Sequence, residues 1–189
     1  MHNMILIKPE QLIHSHITRL HKLEKGTVIY SQGDKANEFY YVESGLIGLY
    51  HVLENGKESL LRIYSSQDYF GFRTVFGTQI YHCTAKVLLP AEIVRISPHN
   101  VSEFIQANPQ MIQYLLHQLS EELQFSEQRL AKAAYMRSLD RVMESITHLT
   151  QYYPNYPWTY REIAEYSGCE TETAIRISKE LKKQGFLKQ

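Results

Sequence analysis

The residues with the plainest capacity for chemistry lie near the end of the chain, in the stretch GCETETAIRISKELKKQGF from Gly168 to Phe186. At helical spacing Thr171, Glu172, Ile175, Arg176 and Lys179 share one outward row, while Ala174, Ile177 and Leu181 turn inward. In a DNA major groove an Arg can donate two hydrogen bonds to guanine O6 and N7, and a carboxylate can accept from the cytosine amine. A Glu one turn before an Arg can therefore read a base and hold the Arg rotamer together. The same two residues also fit an i,i+4 ion pair on a solvated helix, worth ~0.2–0.5 kcal/mol, and for a helix taken alone that is the commoner arrangement.

Such a helix needs something to position it. Upstream, Thr159 is a good N-cap and Glu162, three residues on, completes a capping box before the apolar Ile163 and Ala164. This predicts a helix of about two turns ended by Gly168, then a longer helix from about Thr171 to Gln184, with Gly185 as the stop. Two helices joined by a short glycine-bearing turn match helix-turn-helix. No Ser-His-Asp set, glycine-rich phosphate loop or carboxylate pair occurs at a spacing suited to catalysis, so an enzyme is not expected.

Between Leu23 and Ile96 glycines punctuate short runs of Tyr, Val, Ile and Leu. The run EFYYVESGLIGLYHVLENGKESLLRIY is expected to form strand, glycine turn, strand, Asn55-Gly56 turn and strand, with a type I′ hairpin at Asn55-Gly56. The pattern predicts an antiparallel barrel or roll. His14, His16 and His21 are expected as polar positions on an N-terminal helix. After Pro98 the period changes. Ile112, Leu116, Leu119, Leu123, Ser126, Leu130 and Ala133 recur in steps of three and four, tracing one stripe for about three heptads. A partner helix and the chain's own roll are both acceptors for that stripe. A second helical stretch, MRSLDRVMESITHLTQYY, follows without an obvious break and ends before Pro154 and Pro157. The expected organisation is 1–107 for the roll with flanking helices, 108–133 for a long helix and 134–189 for the helix-turn-helix.

The chain has 189 residues, with 20 basic and 20 acidic side chains. Nucleic-acid binding would therefore rest on a local patch and not on net charge. Two cysteines, Cys83 and Cys169, without metal-ligand spacing supply no zinc or iron-sulfur ligand set. No segment reaches the ~20 apolar residues of a membrane span and no secretory signal is evident, so a cytoplasmic protein is expected.

These motifs resemble the Crp/Fnr superfamily of bacterial transcription regulators across nearly the entire chain. Thr159, Glu162, Ile163, Ala164, Gly168, Glu172, Thr173, Arg176, Leu181 and Gly185 fall where that family's helix-turn-helix signature expects them. GTVIYSQGD, FYYVESGLIGLY and YFGF resemble its cyclic-nucleotide-binding β-roll, or jelly roll. The resemblance implies an α+β fold in which the 112–133 stripe is a dimerisation seam. It also implies a homodimer on a two-fold-related operator with a TGA-like core. Thr159, Thr171, Glu172, Thr173, Ile175, Arg176 and Lys179 are the implied DNA contacts, with double-stranded DNA as partner and RNA polymerase as a further one if the protein activates.

The effector pocket departs from that pattern. Members that bind cyclic AMP carry a Glu after FG and an Arg before Ser/Thr-Ala, whereas here the segments read YFGFRTVFG and HCTAKV. Phe72 and Cys83 stand at those positions, so cyclic AMP in the usual mode is not expected. Arg73 and His82 are neighbours of the altered positions, but adjacent strand residues face opposite sides, so neither is expected to substitute. Gly71, Phe72, Cys83 and Thr84 are the candidate pocket residues, for an unknown and more apolar effector or for none. Cys83 is expected to serve as a small hydrophobe, with redox sensing as the alternative. The N-terminal cysteine cluster of iron-sulfur members is absent, while nine histidines leave haem open. The chain stops at Gln189, where members usually continue into a β wing. The competing function is a ligand-binding or protein-interaction module with a degenerate DNA-binding head.

Overall fold

The computed structural model describes residues 6–186. The expected stop at Gln189 lies outside them, as do the first residues of MHNMILIKPE. Two compact units are formed, one from Met1–Val52 with Arg62–Gln124, the other from Leu53–Leu61 with Phe125–Gln189.

The first unit is built on a six-stranded sheet of β1 (Ser15–Leu23), β2 (Val28–Tyr30), β3 (Phe39–Val52), β4 (Glu58–Tyr64), β5 (Tyr69–Phe70) and β6 (Thr84–Pro98). The strand order is β1-β6-β3-β4, with β2 against β6 and β5 against β3. The β1–β6, β2–β6, β3–β5 and β3–β6 pairings are antiparallel. The expected roll is present. Its core is aromatic: Tyr30 stacks on Tyr81 with centroids 3.7 Å apart, and Phe70 lies 5.1 Å from Tyr40 and 5.4 Å from Tyr64. Phe39, Val42, Ile47, Ile93 and Ile96 complete it as fully buried side chains. Such close aromatic pairs add about 0.5–1.5 kcal/mol each beyond their area burial.

Three local expectations are corrected. His16 and His21 lie on β1, not on a helix, because β1 pairs with β6 from Ser15↔Pro98 to Leu23↔Ala91; His14 precedes that strand with φ 56. Gly45 is not a turn. β3 runs through it for 14 residues, and the register with β6 shifts between Ser44 and Leu46. Gly45 has φ +97, and a Cβ there would lie 2.5 Å from the Pro90 carbonyl oxygen, so the bulge requires glycine. Finally, the turn at Asn55-Gly56 is not type I′. Gly56 N donates to the Leu53 carbonyl at 2.9 Å, so Glu54 and Asn55 form its centre, and only Gly56 takes positive φ. This is a type I turn followed by a left-handed residue.

Two short helices, α1 (Phe72–Val75) and α2 (Val101–Ala107), join the roll to the 27-residue α3 (Pro109–Tyr135). In the first unit α3 buries Met111 and Leu115. The second unit contains α4 (Ser138–Tyr152), α5 (Tyr160–Ser167) and α6 (Thr171–Lys183), which pack on one another. A break divides α3 from α4: Arg137 is extended, and the Arg141 guanidinium donates to the Met136 carbonyl at 2.8 Å. Val142, Ile146 and Leu149 of α4, Ile163 and Ala164 of α5, and Ala174, Ile177 and Leu181 of α6 are all buried.

Candidate nucleic-acid interface and effector cavity

Local chemistry sets both ends of the helix pair. Thr159 Oγ1 accepts from Glu162 N at 3.2 Å while Thr159 N donates to Glu162 Oε2 at 2.9 Å, the expected capping box. Thr159 Oγ1 also donates to that carboxylate at 2.8 Å, so its hydroxyl is engaged within the helix start. Gly168 takes the left-handed conformation, φ 67, and ends α5. The α6 N-cap is Glu170, and its first turn holds Glu172, where a carboxylate favours the helix dipole.

On α6 the inward set is buried as expected, joined by Ser178, which the apolar pattern missed. Glu172, Arg176 and Lys179 are exposed; Thr171, Thr173 and Ile175 are half-buried. Among the described residues no ion pair joins Glu172 to Arg176 or either to another side chain. The alternative of an i,i+4 surface pair is not realised, and both groups stand free on one face.

Arg129 of α3 organises this unit, and no motif in the sequence marks it. Its guanidinium donates to the carbonyls of Leu61, at 2.7 Å, and Tyr166, and lies 4.5 Å from the centre of the Tyr166 ring. The β3–β4 turn adds Lys57 to Glu170 and Ser59 Oγ to the Glu165 carbonyl at 3.4 Å.

Along α3, Leu116, Leu123 and Leu130 are 58%, 58% and 72% exposed. Ile112, Leu119 and Ser126 are half-buried and Ala133 is exposed. The face turned to the roll is a different one, carrying Met111, Leu115, Gln118 and Glu122. Gln118 Nε2 donates to the Tyr69 carbonyl at 2.8 Å. The stripe is therefore not consumed by the chain's own roll.

The roll encloses a cavity of about 20 Å³, room for a single water, lined by residues that include Tyr30, Tyr64, Gly71, Phe72, Tyr81 and Glu122. Gly71 and Phe72 are in the wall as expected, whereas Cys83 and Thr84 are not among the lining residues. Thr84 Oγ1 accepts from Gln32 N at 3.0 Å. Cys83 is fully buried, with Sγ 3.9 Å from His51 Nδ1, and burial raises its thiol pKa to about 11. Arg73 and His82, not expected to substitute automatically for the altered positions, both line the cavity. Strand alternation does not govern them, since Arg73 lies in α1 and His82 precedes β6. Burial first, and Arg73 second, lower the His82 pKa to about 4. The second unit has a larger surface hollow of about 370 Å³, lined by Met143, Glu144, Thr147, His148, Gln151 and Tyr152 of α4. It offers one carboxylate and no cluster of cations. Among the described residues no group of His, Cys, Asp and Glu could hold a metal, and no helix is long and apolar enough to cross a membrane.

Residues 20–108 match the cyclic nucleotide-binding domain family. The cAMP-activated global transcriptional regulator CRP of Pasteurella multocida is 30% identical over 185 residues, spanning 93% of this chain and 87% of that protein. The chain belongs to the Crp/Fnr family. An uncharacterized Haemophilus influenzae protein is 53% identical over 115 residues, covering 61% of this chain and 89% of its own length. Among solved structures, the c-di-GMP responsive global regulator CLP of Xanthomonas campestris superposes with a TM-score of 0.80 at 23% identity, covering 93% of this chain and 90% of that one. A Crp/Fnr regulator of Thermus thermophilus gives 0.73 at 22% identity, covering 92% and 89%. The roll, long helix and helix-turn-helix are thus the Crp/Fnr architecture, and the CRP and CLP relatives are named as global regulators.

Proposed function

We propose that this Crp/Fnr protein is a homodimeric, sequence-specific DNA-binding transcription regulator of the bacterial cytoplasm. In it α6 enters the major groove, Arg176 donates to a guanine and Glu172 accepts from a cytosine amine, within a TGA-like half-site. The observation that carries this reading is the state of Glu172 and Arg176: both exposed, one turn apart, and bound to no other side chain of the described chain. Thr171, Thr173 and Ile175 flank them, and Lys179 is suited to a phosphate. Thr159 reaches DNA only through its backbone or methyl, because its hydroxyl caps α5. The exposed leucines of α3 support a second copy as the acceptor of Ile112, Leu116, Leu119, Leu123, Ser126, Leu130 and Ala133. Two copies then set half-sites about one helical turn apart. RNA polymerase is the further partner if the protein activates.

The residues of the roll do not fit a cyclic nucleotide in the family's usual mode. The position expected to hold the cyclic phosphate is a buried neutral thiol, and the one expected to hold the ribose is the buried ring of Phe72. A cavity sized for one water adds to that disagreement. Selection of bound fragments from random duplexes tests the DNA assignment: a two-fold-symmetric motif is expected. No enrichment even at low salt defeats it and leaves an interaction module with a degenerate head.

A further inference from the structure

The cavity wall brings Arg73 and His82 together with Glu122, which Arg62 holds. Arg62 of β4 pairs with Glu122 of α3, Nη1 to Oε2 at 3.3 Å, both side chains being 12% exposed. Arg62 Nη2 also donates to the Glu122 carbonyl at 3.0 Å, and Tyr64 and Gln118 donate to Oε1 of the same carboxylate at 3.4 and 3.3 Å. Arg73 is different. Its contact is His82 Nδ1 at 3.4 Å, and no ion pair engages it among the described residues. A guanidinium can only donate, so His82 Nδ1 accepts and the ring proton sits on Nε2. That Nε2 is buried without a partner. Arg73, His82 and the Glu122 carboxylate thus line one small cavity, with Arg62 holding that carboxylate from behind, and a buried donor left without an acceptor costs about 1–3 kcal/mol.

We propose that the cavity is an oxyanion-binding effector site in which Glu122 is the built-in occupant of Arg62. A ligand's carboxylate or phosphoryl group enters by displacing the Glu122 carboxylate, and is held by Arg62, Arg73 and His82 Nε2–H. The displaced carboxylate is what makes the volume, since the cavity otherwise admits one water. Glu122 immediately precedes Leu123 on α3, so its release acts on the helix that bears the exposed leucines. This arrangement uses neither of the positions at which cyclic-AMP-binding relatives hold their ligand. It rests on the roll being an effector domain and is independent of whether α6 reads DNA.

The test is calorimetric titration of the full-length protein with sulfate, a dianion of constant charge near neutrality and a stand-in for a phosphoryl group, and separately with acetate. Glu122→Gln keeps a hydrogen-bonding side chain and removes the competitor, so anion affinity is expected to tighten by on the order of tenfold or more. Adding Arg73→Gln to that variant should abolish the gain. Tighter binding of sulfate or of acetate assigns the ligand group as phosphoryl or carboxylate. The proposal is overturned if folded Glu122→Gln binds both anions no more tightly than the wild type, or if the gain survives Arg73→Gln. Should Glu122→Gln not fold, the wild type suffices. Burial holds the Glu122 carboxyl above its ordinary range, so sulfate affinity rises as pH falls and it takes a proton. Of the groups facing it, Arg62 and Arg73 are fixed cations, burial raises the Tyr30 and Tyr64 hydroxyls further, Gln118 is uncharged, and His82 is held neutral to about pH 4. A flat profile rejects the mechanism. Selection from random DNA, run beside it, reports on α6 alone.

Discussion

Replacing Arg176 by Ala separates base reading from mere attraction to DNA. Arg176 is exposed and carries no intramolecular hydrogen bond or ion pair among the described residues, so its removal should change folding stability by no more than about 0.5 kcal/mol. Any loss in binding then belongs to the complex. A bidentate contact with guanine contributes about 1–3 kcal/mol of discrimination, which is roughly five- to 150-fold per half-site. A dimer presents the substitution twice, so a symmetric operator should lose about 2–6 kcal/mol. The assay is fluorescence anisotropy at one fixed salt concentration, using the selected operator and versions changed at each guanine of the half-site. Wild type should discriminate at one guanine position, and Arg176→Ala should bind all versions at that position alike. Lys179→Ala supplies the contrast, weakening every duplex to the same extent and lowering the salt slope by about one per half-site. Uniform losses for Arg176→Ala across all sequences, with folding unchanged, would refute base reading by this residue.

The seam and the roll give three further expectations. Leu123→Glu removes about 1.5–3 kcal/mol of apolar burial per copy if α3 pairs with its mate, so sedimentation equilibrium should show the monomer–dimer midpoint raised by at least about a hundredfold; an unchanged midpoint places the seam elsewhere. Cys83, fully buried with its thiol pKa raised to about 11, should resist iodoacetamide at neutral pH in the native state and react on unfolding. Rapid native labelling of Cys83 would restore it as a redox sensor. His82 has a folded-state pKa lowered to about 4, from an ordinary 6.5. The unfolded chain therefore binds more protons in that interval, and this group's contribution to stability is lost as pH falls from about 6.5 towards 4. His82→Gln should shrink the drop in Tm over that interval relative to wild type, and an identical Tm profile would contradict the assignment.

The parts of the molecule legible in the sequence are those fixed by residues close along the chain. The capping box at Thr159 and Glu162, the left-handed stop at Gly168 and the buried row of Ala174, Ile177 and Leu181 all follow from three- and four-residue spacing, and all occur. Where a distant strand decides the outcome, local pattern misleads. His16 and His21 belong to a strand because β6, paired at Ser15↔Pro98, supplies the other half of the ladder. Gly45 punctuates nothing along β3; it admits the Pro90 carbonyl, again from β6. The cavity follows the same logic. Cys83 and Phe72 were legible as departures because each was read against a neighbouring motif, but Arg62 and Glu122 lie 60 residues apart and meet only when α3 packs on the roll. Arg73 and His82 converge because both leave the strand geometry that would have held them apart. Arg62 of β4, paired with Glu122, and Arg73 of α1 are the cations the proposal sets in place of the one absent at residue 83. On the proposed reading, a substitution pattern that looks like decay of an anion site becomes an anion site with a different set of cations and an internal competitor. The Glu122→Gln titration separates the two, because a decayed site gains nothing when that carboxylate is removed.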